Sequence, residues 1–280
     1  MRGPFPSRIY YPALMFASWI ERWSLVPDGE AITTRSSRLL PVRWRGLPAM
    51  LKVAQEAEEK FGGMLMRWWD GHGAARVYAE GGEAILMERA ESRRSLFHMA
   101  MTGSDDTATR IICRAVASLH APRSMSLPEL VPLERWFEAL EPTAHSQAGL
   151  FEICAGAART LFADPHPPTV LHGDIHHGNI LDFGERGWLA IDPKRLHGER
   201  GFDYANLFCN PELPIVTAPG RLRLEKQLAV VAQEAQLEPR RILYWVLAYA
   251  GLSAAWFLQD GESAESPLAV AEIAAAALNR

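Results

Sequence analysis

Val170-Leu171-His172-Gly173-Asp174-Ile175-His176-His177-Gly178-Asn179-Ile180-Leu181, followed by Trp188-Leu189-Ala190-Ile191-Asp192-Pro193, fixes the architecture of the whole chain. It reads as strand, loop, strand. Val170 and Leu171 form an apolar lead-in, Gly173 and Gly178 allow tight bends, and Ile180 and Leu181 resume an extended run. Gly184 to Gly187 make a turn, after which a second apolar run ends in a carboxylate. Asp174, Asn179 and Asp192 are presented in this way. A plain hairpin with a polar tip would also use Asp, Asn and Gly. It would not account for the second carboxylate after an apolar strand, nor for two histidines beside the loop.

The trio has the parts that phosphoryl transfer needs. Asp174 is a loop carboxylate able to take the proton of an attacking hydroxyl. Asn179, with four residues intervening, offers an amide oxygen to a metal, and Asp192 can bridge metal ions to nucleotide phosphates. In the protein-kinase pattern H-R-D-x-x-x-x-N is followed by D-F-G. Here His172-Gly173-Asp174, four residues, Asn179 and then Ile191-Asp192-Pro193 stand in their place.

These residues resemble the catalytic loop of aminoglycoside phosphotransferases. Residues 171–181, 187–193 and 198–206, with 248–256 later, are similar to the streptomycin 6-kinase and hydroxyurea phosphotransferase branch of that family. The resemblance spans most of the chain and is dense from about residue 171 to 206. It implies an α+β, bilobal protein-kinase-like fold: a small antiparallel-sheet N-lobe over residues 1–89 and a mostly helical C-lobe over residues 90–280. It also implies ATP and Mg²⁺ as cofactors and a small hydroxylated molecule as acceptor.

Met15, Trp19, Ile20 and Trp23 recur at helical spacing and should bury one face. From residue 30 the pattern turns to strands. Leu40, Val42 and Trp44 alternate with Pro41, Arg43 and Arg45. Residues 49–53 form another strand, with Lys52 alone among apolar neighbours, where a nucleotide kinase holds the α- and β-phosphates. The phosphate-covering loop falls at residues 33–38. It has no glycine, unlike the protein-kinase loop, and offers backbone N–H groups with Ser36 and Ser37. Residues 55–69 read as a helix whose acidic first turns suit the helix dipole. Register against the family favours Glu59 as the partner of Lys52. Residues 74–78 and 84–87 are strands joined by Gly81-Gly82, which gives a sheet of about five strands. Residues 86–90 follow as the interlobe hinge, with Glu88 and Ala90 placed to bond adenine through their backbone.

In the second lobe, Ser104 can cap a helix running to His120, with further helices at residues 133–140, 149–163, 222–235, 239–256 and 268–278. His172 is expected to bond backbone and fix the loop. Asp203, by resemblance, ties the catalytic loop down through its backbone N–H groups. Lys194 and Arg195 follow the second carboxylate, placed either to neutralise transferred phosphate or to stand in solvent, and Glu199 and Arg200 border the cleft. Asp260 and Glu262 end a helix where the family places acidic substrate contacts. Adjacent histidines point apart on extended chain, so His176 and His177 do not suggest zinc.

Composition bounds the alternatives. The 280 residues allow one large domain or two lobes, and 48% are hydrophobic. A net charge of −4 signals no polyanion-binding surface, so no nucleic-acid partner is expected. No protein partner is indicated. Cys113, Cys154 and Cys209 show neither metal-ligand nor disulfide spacing, which suits a reducing, cytoplasmic setting. No run approaches the roughly 20 apolar residues of a membrane span, and no signal peptide is read at the start. Two functions remain as alternatives to a streptomycin-type kinase. One is a kinase of hydroxyurea or another small metabolite. The other is a nucleotide-binding regulator without transfer activity, for which only the glycine-free phosphate loop speaks.

Overall fold

The computed structural model describes residues 11–55, 62–211 and 218–279. The N-terminal part begins with helix α1 (Tyr11–Trp23), then strands β1 (Val26–Pro27), β2 (Ile32–Thr33), β3 (Ser37–Trp44) and β4 (Leu47–Ala54). Helix α2 (Gly62–Trp69) precedes β5 (Val77–Gly81) and β6 (Ala84–Glu88). All pairings are antiparallel, in the order β1-β3-β4-β6-β5, with β2 added to β3. The sheet thus has six strands, one more than the sequence suggests, because the short β1 adds an edge.

Alternation sorts the two faces of this sheet. Leu40, Val42, Ala49, Leu51, Val53, Ala84 and Leu86 bury one face against Phe16 of α1. On the other face the register sets Leu39, Lys52 and Ile85 side by side across β3, β4 and β6. Lys52 therefore lies on a central strand, on the face opposite the small core.

The second part carries α3 (Leu96–Met101), α4 (Asp105–Leu119), β7 (Val131–Pro132), α5 (Leu133–Trp136), α6 (Leu140–Gln147) and α7 (Leu150–Ala163). Then come β8 (Pro168–Leu171), β9 (Ile180–Asp182), β10 (Trp188–Ala190), β11 (Leu196–Glu199), α8 (Phe202–Phe208), α9 (Ala218–Ala235), α10 (Pro239–Gln259) and α11 (Glu265–Leu278). The helix expected at residues 133–140 is divided: a 3-10 turn over Phe137–Ala139 separates α5 from α6. α10 is apolar on nearly every side because α7, α8 and α11 surround it. By length and composition it is apolar enough to cross a membrane, yet it lies mostly buried inside the protein itself. The sequence expectation of no such run missed this helix.

The larger core also takes in Leu65, Trp68 and Trp69 of α2 and Ala74 after it. Trp69 donates its indole N–H to the carbonyl of Leu119 and lies over the His172 ring, centroids 6.2 Å apart. Ala74 and Ala190 form a parallel bridge, with Ala75 N–H bonded to Ala190 O and Ala190 N–H to Gly73 O. The chain that leads into the small sheet is thereby stitched to the strand that leads to Asp192.

Candidate active site

β8 delivers the loop 172–179 and the β9–β10 hairpin returns to Asp192. The backbone locks these two arms together. Ile191 N–H bonds Asn179 O at 2.9 Å, and Lys194 N–H bonds His172 O at 2.7 Å. Gly173 has φ +84°, and a Cβ there would lie 2.8 Å from Leu196 Cδ1, so glycine is required. Asp192 sits at φ +64°, a left-handed conformation that aspartate tolerates better than most residues.

The buried His172 spans the two arms. Its Nδ1 accepts from Asp174 N–H at 3.2 Å, so the proton is on Nε2, which donates to Ile191 O at 2.8 Å. Burial holds its pKa below the usual histidine value, in keeping with this neutral tautomer.

Asp203, on α8, supports the loop from below. Its Oδ1 accepts from Gly173 N–H at 2.7 Å. Its Oδ2 accepts from His172 N–H at 2.9 Å and from His120 Nε2 at 2.8 Å. Burial pushes this carboxyl up, but the hydrogen bonds from His120 and Gly173 outweigh that and hold it below the ordinary carboxylate value.

Asp174 is held at both oxygens. Asn206 Nδ2 donates to Oδ1 at 2.9 Å. Asn179 Nδ2 donates to the Asp174 carbonyl at 2.9 Å and to Oδ2 at 3.3 Å. This use of its NH₂ group commits the Asn179 amide oxygen to the other side. Asn206 had no role in the sequence reading. The available signal was its place three residues after Asp203, which puts both on one face of α8.

Lys52 is buried and forms a direct ion pair with Asp192. The expected partner, Glu59, lies outside the described residues. Ser37 opens β3, and its buried Oγ has no hydrogen-bond partner among the described residues. Thr34, Ser37, Leu39, Lys52, Ile85, Met87, Gly178, Asn179 and Asp192 line one cavity of about 220 Å³. Ser36 is not among its lining residues, nor are Glu88 and Ala90, although Met87, next to Glu88, is. Glu88 gives its N–H to Arg76 O, and its carboxylate pairs with Arg186.

On the opposite side of the loop, Gly173, Asp174, His176 and Asn206 line a cavity of about 460 Å³ together with Tyr249, Trp256 and Lys194. An adjoining cavity of about 640 Å³ shares Arg35, Trp136, Lys194 and Trp256 with it and reaches Glu138, Asp260 and Glu262. Glu199 and Arg200, expected at the cleft, are elsewhere. Buried Glu199 is bound by Arg241 at 2.6 Å and by Trp245 Nε1 at 2.9 Å. Arg200 donates to the carbonyls of Ala235 and Gln236.

Among the described residues no group of three or more His, Cys, Asp or Glu side chains is arranged to hold a metal ion. Asn179 and Asp192 supply two hard oxygen donors, which suits an ion whose remaining shell comes from phosphates and water.

A small antiparallel sheet with a central lysine, a mostly helical second part, and a D-x-x-x-x-N loop facing a further carboxylate define a kinase-like phosphotransferase. Residues 22–261 match the family described as Aminoglycoside/hydroxyurea antibiotic resistance kinase, and the chain belongs to that family. It is 52% identical over 247 residues to a streptomycin 3''-kinase of Klebsiella pneumoniae, covering 86% of this chain and 92% of that one. It is 30% identical over 275 residues to a streptomycin 6-kinase of Streptomyces glaucescens, covering 92% and 87%. The fold is also that of an aminoglycoside phosphotransferase solved with ADP and hygromycin B: TM-score 0.65 at 16% identity, covering 92% of this chain and 97% of that one.

Proposed function

We propose that this enzyme transfers the γ-phosphate of ATP to a hydroxyl of streptomycin. One observation carries the reading: the loop 172–179 divides two cavities. Asp174 lines the larger one, while Gly178 and Asn179 line the smaller one with Lys52, Ser37 and Asp192. Acceptor and nucleotide thus have separate chambers on the two sides of one loop, Asp174 in the first and Asp192 in the second.

In the nucleotide chamber, Lys52 binds the phosphates and releases Asp192 as it does so. Asn179 and Asp192 would hold Mg²⁺, which would neutralise charge on the phosphate oxygens. Ser37 Oγ gains an anionic acceptor there, which its buried setting lacks. In the acceptor chamber, Asp174 orients the attacking hydroxyl and receives its proton late. The hydrogen bonds from Asn206 and Asn179 keep the carboxylate aimed. The size of the acceptor cavities favours a large acceptor over hydroxyurea; their lining carries both signs of charge, Glu138, Asp260 and Glu262 beside Arg35, Arg135 and Lys194. The 52% identity to a 3''-kinase, against 30% to a 6-kinase, favours the 3''-hydroxyl as the site of transfer.

The test is Mg²⁺-dependent ADP release with streptomycin and with hydroxyurea, repeated with Asp174→Ala, and NMR of the product to locate the phosphate. Streptomycin-dependent turnover that falls by about 10³ in the variant is expected. Nucleotide binding with no transfer to either acceptor would refute the reading and favour the regulator.

A further inference from the structure

Asn206 holds Asp174 Oδ1 with its NH₂ group, so the contact depends on which way round the Asn206 amide stands. Turned over, the amide would set its oxygen against the carboxylate, and two groups that only accept would face each other. Asn210, one helical turn further along and just past the end of α8, decides the sense. Its Nδ2 donates to the backbone carbonyl of Asn206 at 3.1 Å and to Asn206 Oδ1 at 2.8 Å. A backbone carbonyl can only accept, so the group that Asn210 turns toward it is the NH₂. The same NH₂ calls for an acceptor on the Asn206 side chain. That keeps the Asn206 oxygen beside Asn210 and leaves its NH₂ for Asp174.

Asn210 is held in turn from two other helices. Its carbonyl accepts from Arg223 Nη2 of α9 at 3.0 Å. Arg223 is fixed by both oxygens of Asp105 at the start of α4, at 2.7 and 3.2 Å. The Arg223 and Asp105 side chains are 13% and 20% exposed, so this charged fork is largely shielded from water. Asn210 itself is half-buried and lines the acceptor chamber with Asp174 and Asn206.

We infer that Asn210 is a positioning residue for the transfer: it sets the donor sense of the Asn206 amide, and through it the aim of the Asp174 carboxylate. The inference rests on Asp174 as the group that orients the acceptor hydroxyl. It adds a residue outside the loop 172–179 that acts on that carboxylate through a second side chain. What position 210 must supply is a donor, not bulk. Asn210→Asp keeps the size but can only accept. It would draw the Asn206 NH₂ toward itself and turn the Asn206 oxygen onto Asp174 Oδ1. Asn210→Ala removes the donor without that pull, and water from the chamber can take its place. The near-isosteric change is therefore the more damaging one, the reverse of what a packing role would give.

Steady-state kinetics of the full-length protein with streptomycin and Mg²⁺-ATP test this. Asn210→Asp should lower kcat about 10²-fold and Asn210→Ala about tenfold or less. KM for ATP should stay within about twofold in both, because the nucleotide chamber lies across the loop. In an Asn206→Ala background the two changes should have the same small effect, since the side chain they act through is gone. An aspartate variant no worse than the alanine variant would overturn the inference, and so would a difference that survives in Asn206→Ala. If Asn210→Asp does not fold, Asn210→Ala and Asn206→Ala decide between them: losses that fail to add support the inference, and additive losses refute it. If the wild-type protein does not phosphorylate streptomycin, the proposed acceptor falls and NMR decides the role of Asn210. The Asn206 side-chain NH₂ resonances, assigned by their loss in Asn206→Asp, should move on Asp174→Asn in the wild-type background and stay in place in Asn210→Asp. Equal movement in both backgrounds, or none in either, refutes it.

Discussion

Replacing Asp203 with asparagine probes how the catalytic loop is held. The carboxylate serves three donors: Gly173 N–H at Oδ1, and His172 N–H with His120 Nε2 at Oδ2. An amide has one oxygen, so one side of this arrangement would meet an NH₂ group that can only donate. His120 can adapt by exchanging tautomers, because its buried Nδ1 has no partner among the described residues. The backbone N–H groups of His172 and Gly173 cannot adapt. A hydrogen bond to a charged group contributes about 1.5–3 kcal/mol, and a buried donor left unsatisfied costs about 1–3 kcal/mol. Losing one such bond and stranding one N–H, with partial recovery at His120, gives a net loss of about 3 kcal/mol. That agrees with the roughly 3–5 kcal/mol for breaking a buried charged contact from one side. Urea unfolding followed by tryptophan fluorescence measures it. Turnover should fall about 10²-fold in the same variant, because Asp174 rides on this loop and a shift of about 1 Å is that damaging. A loss below about 1 kcal/mol with kcat within about twofold of wild type would refute the assignment of Asp203 as the loop's anchor.

The same carboxylate sets an acid response. Its folded pKa is depressed, so the stability it contributes is fully present above the unfolded value of 3.8 and is lost as pH falls through the folded value. Stability against pH below about 4 should therefore slope less steeply in Asp203→Asn than in wild type. Gly251 of α10 faces α7 so closely that a Cβ would lie 2.3 Å from Cys154 Cβ. Gly251→Ala should cost about 1–3 kcal/mol in thermal or urea unfolding. Most of the loss should persist in a Cys154→Ala background, since the closest clash is with Cβ and removing Sγ relieves only the 2.8 Å contact. Burial pushes the Cys113 and Cys154 thiols up to about 12. Both should resist iodoacetamide in the native protein at pH 8 and react on unfolding, as peptide mapping would show.

The strand-loop-strand arm was legible in the sequence because it is local. Asp174, Asn179 and Asp192 sit on one strand-loop-strand unit, and glycines mark its bends. What escaped is non-local or lacks a period. Every residue of α8 is buried, so it carries no amphipathic stripe. Glu199 reads as bordering the cleft until Arg241, 42 positions later, is seen against it. Arg35 reads as one more polar residue of a phosphate loop, because its partners lie at the far end of the chain. Lys52 could be placed from its strand, whereas its ion pair with Asp192 could not be read from spacing.

The stitch between the segment after α2 and β10 bears on how the protein can be divided. A cut in the connection near residues 91–95 would not yield two modules. The N-terminal fragment would carry Leu65, Trp68, Trp69 and Ala74, which belong inside the core of the other fragment. It would also carry the carbonyl and N–H that pair with Ala190. Each half would expose the surface the other needs, and Lys52 and Asp192 would be on separate chains. Such fragments would be dependent halves of a split enzyme, inert apart and restored when a tether brings them together.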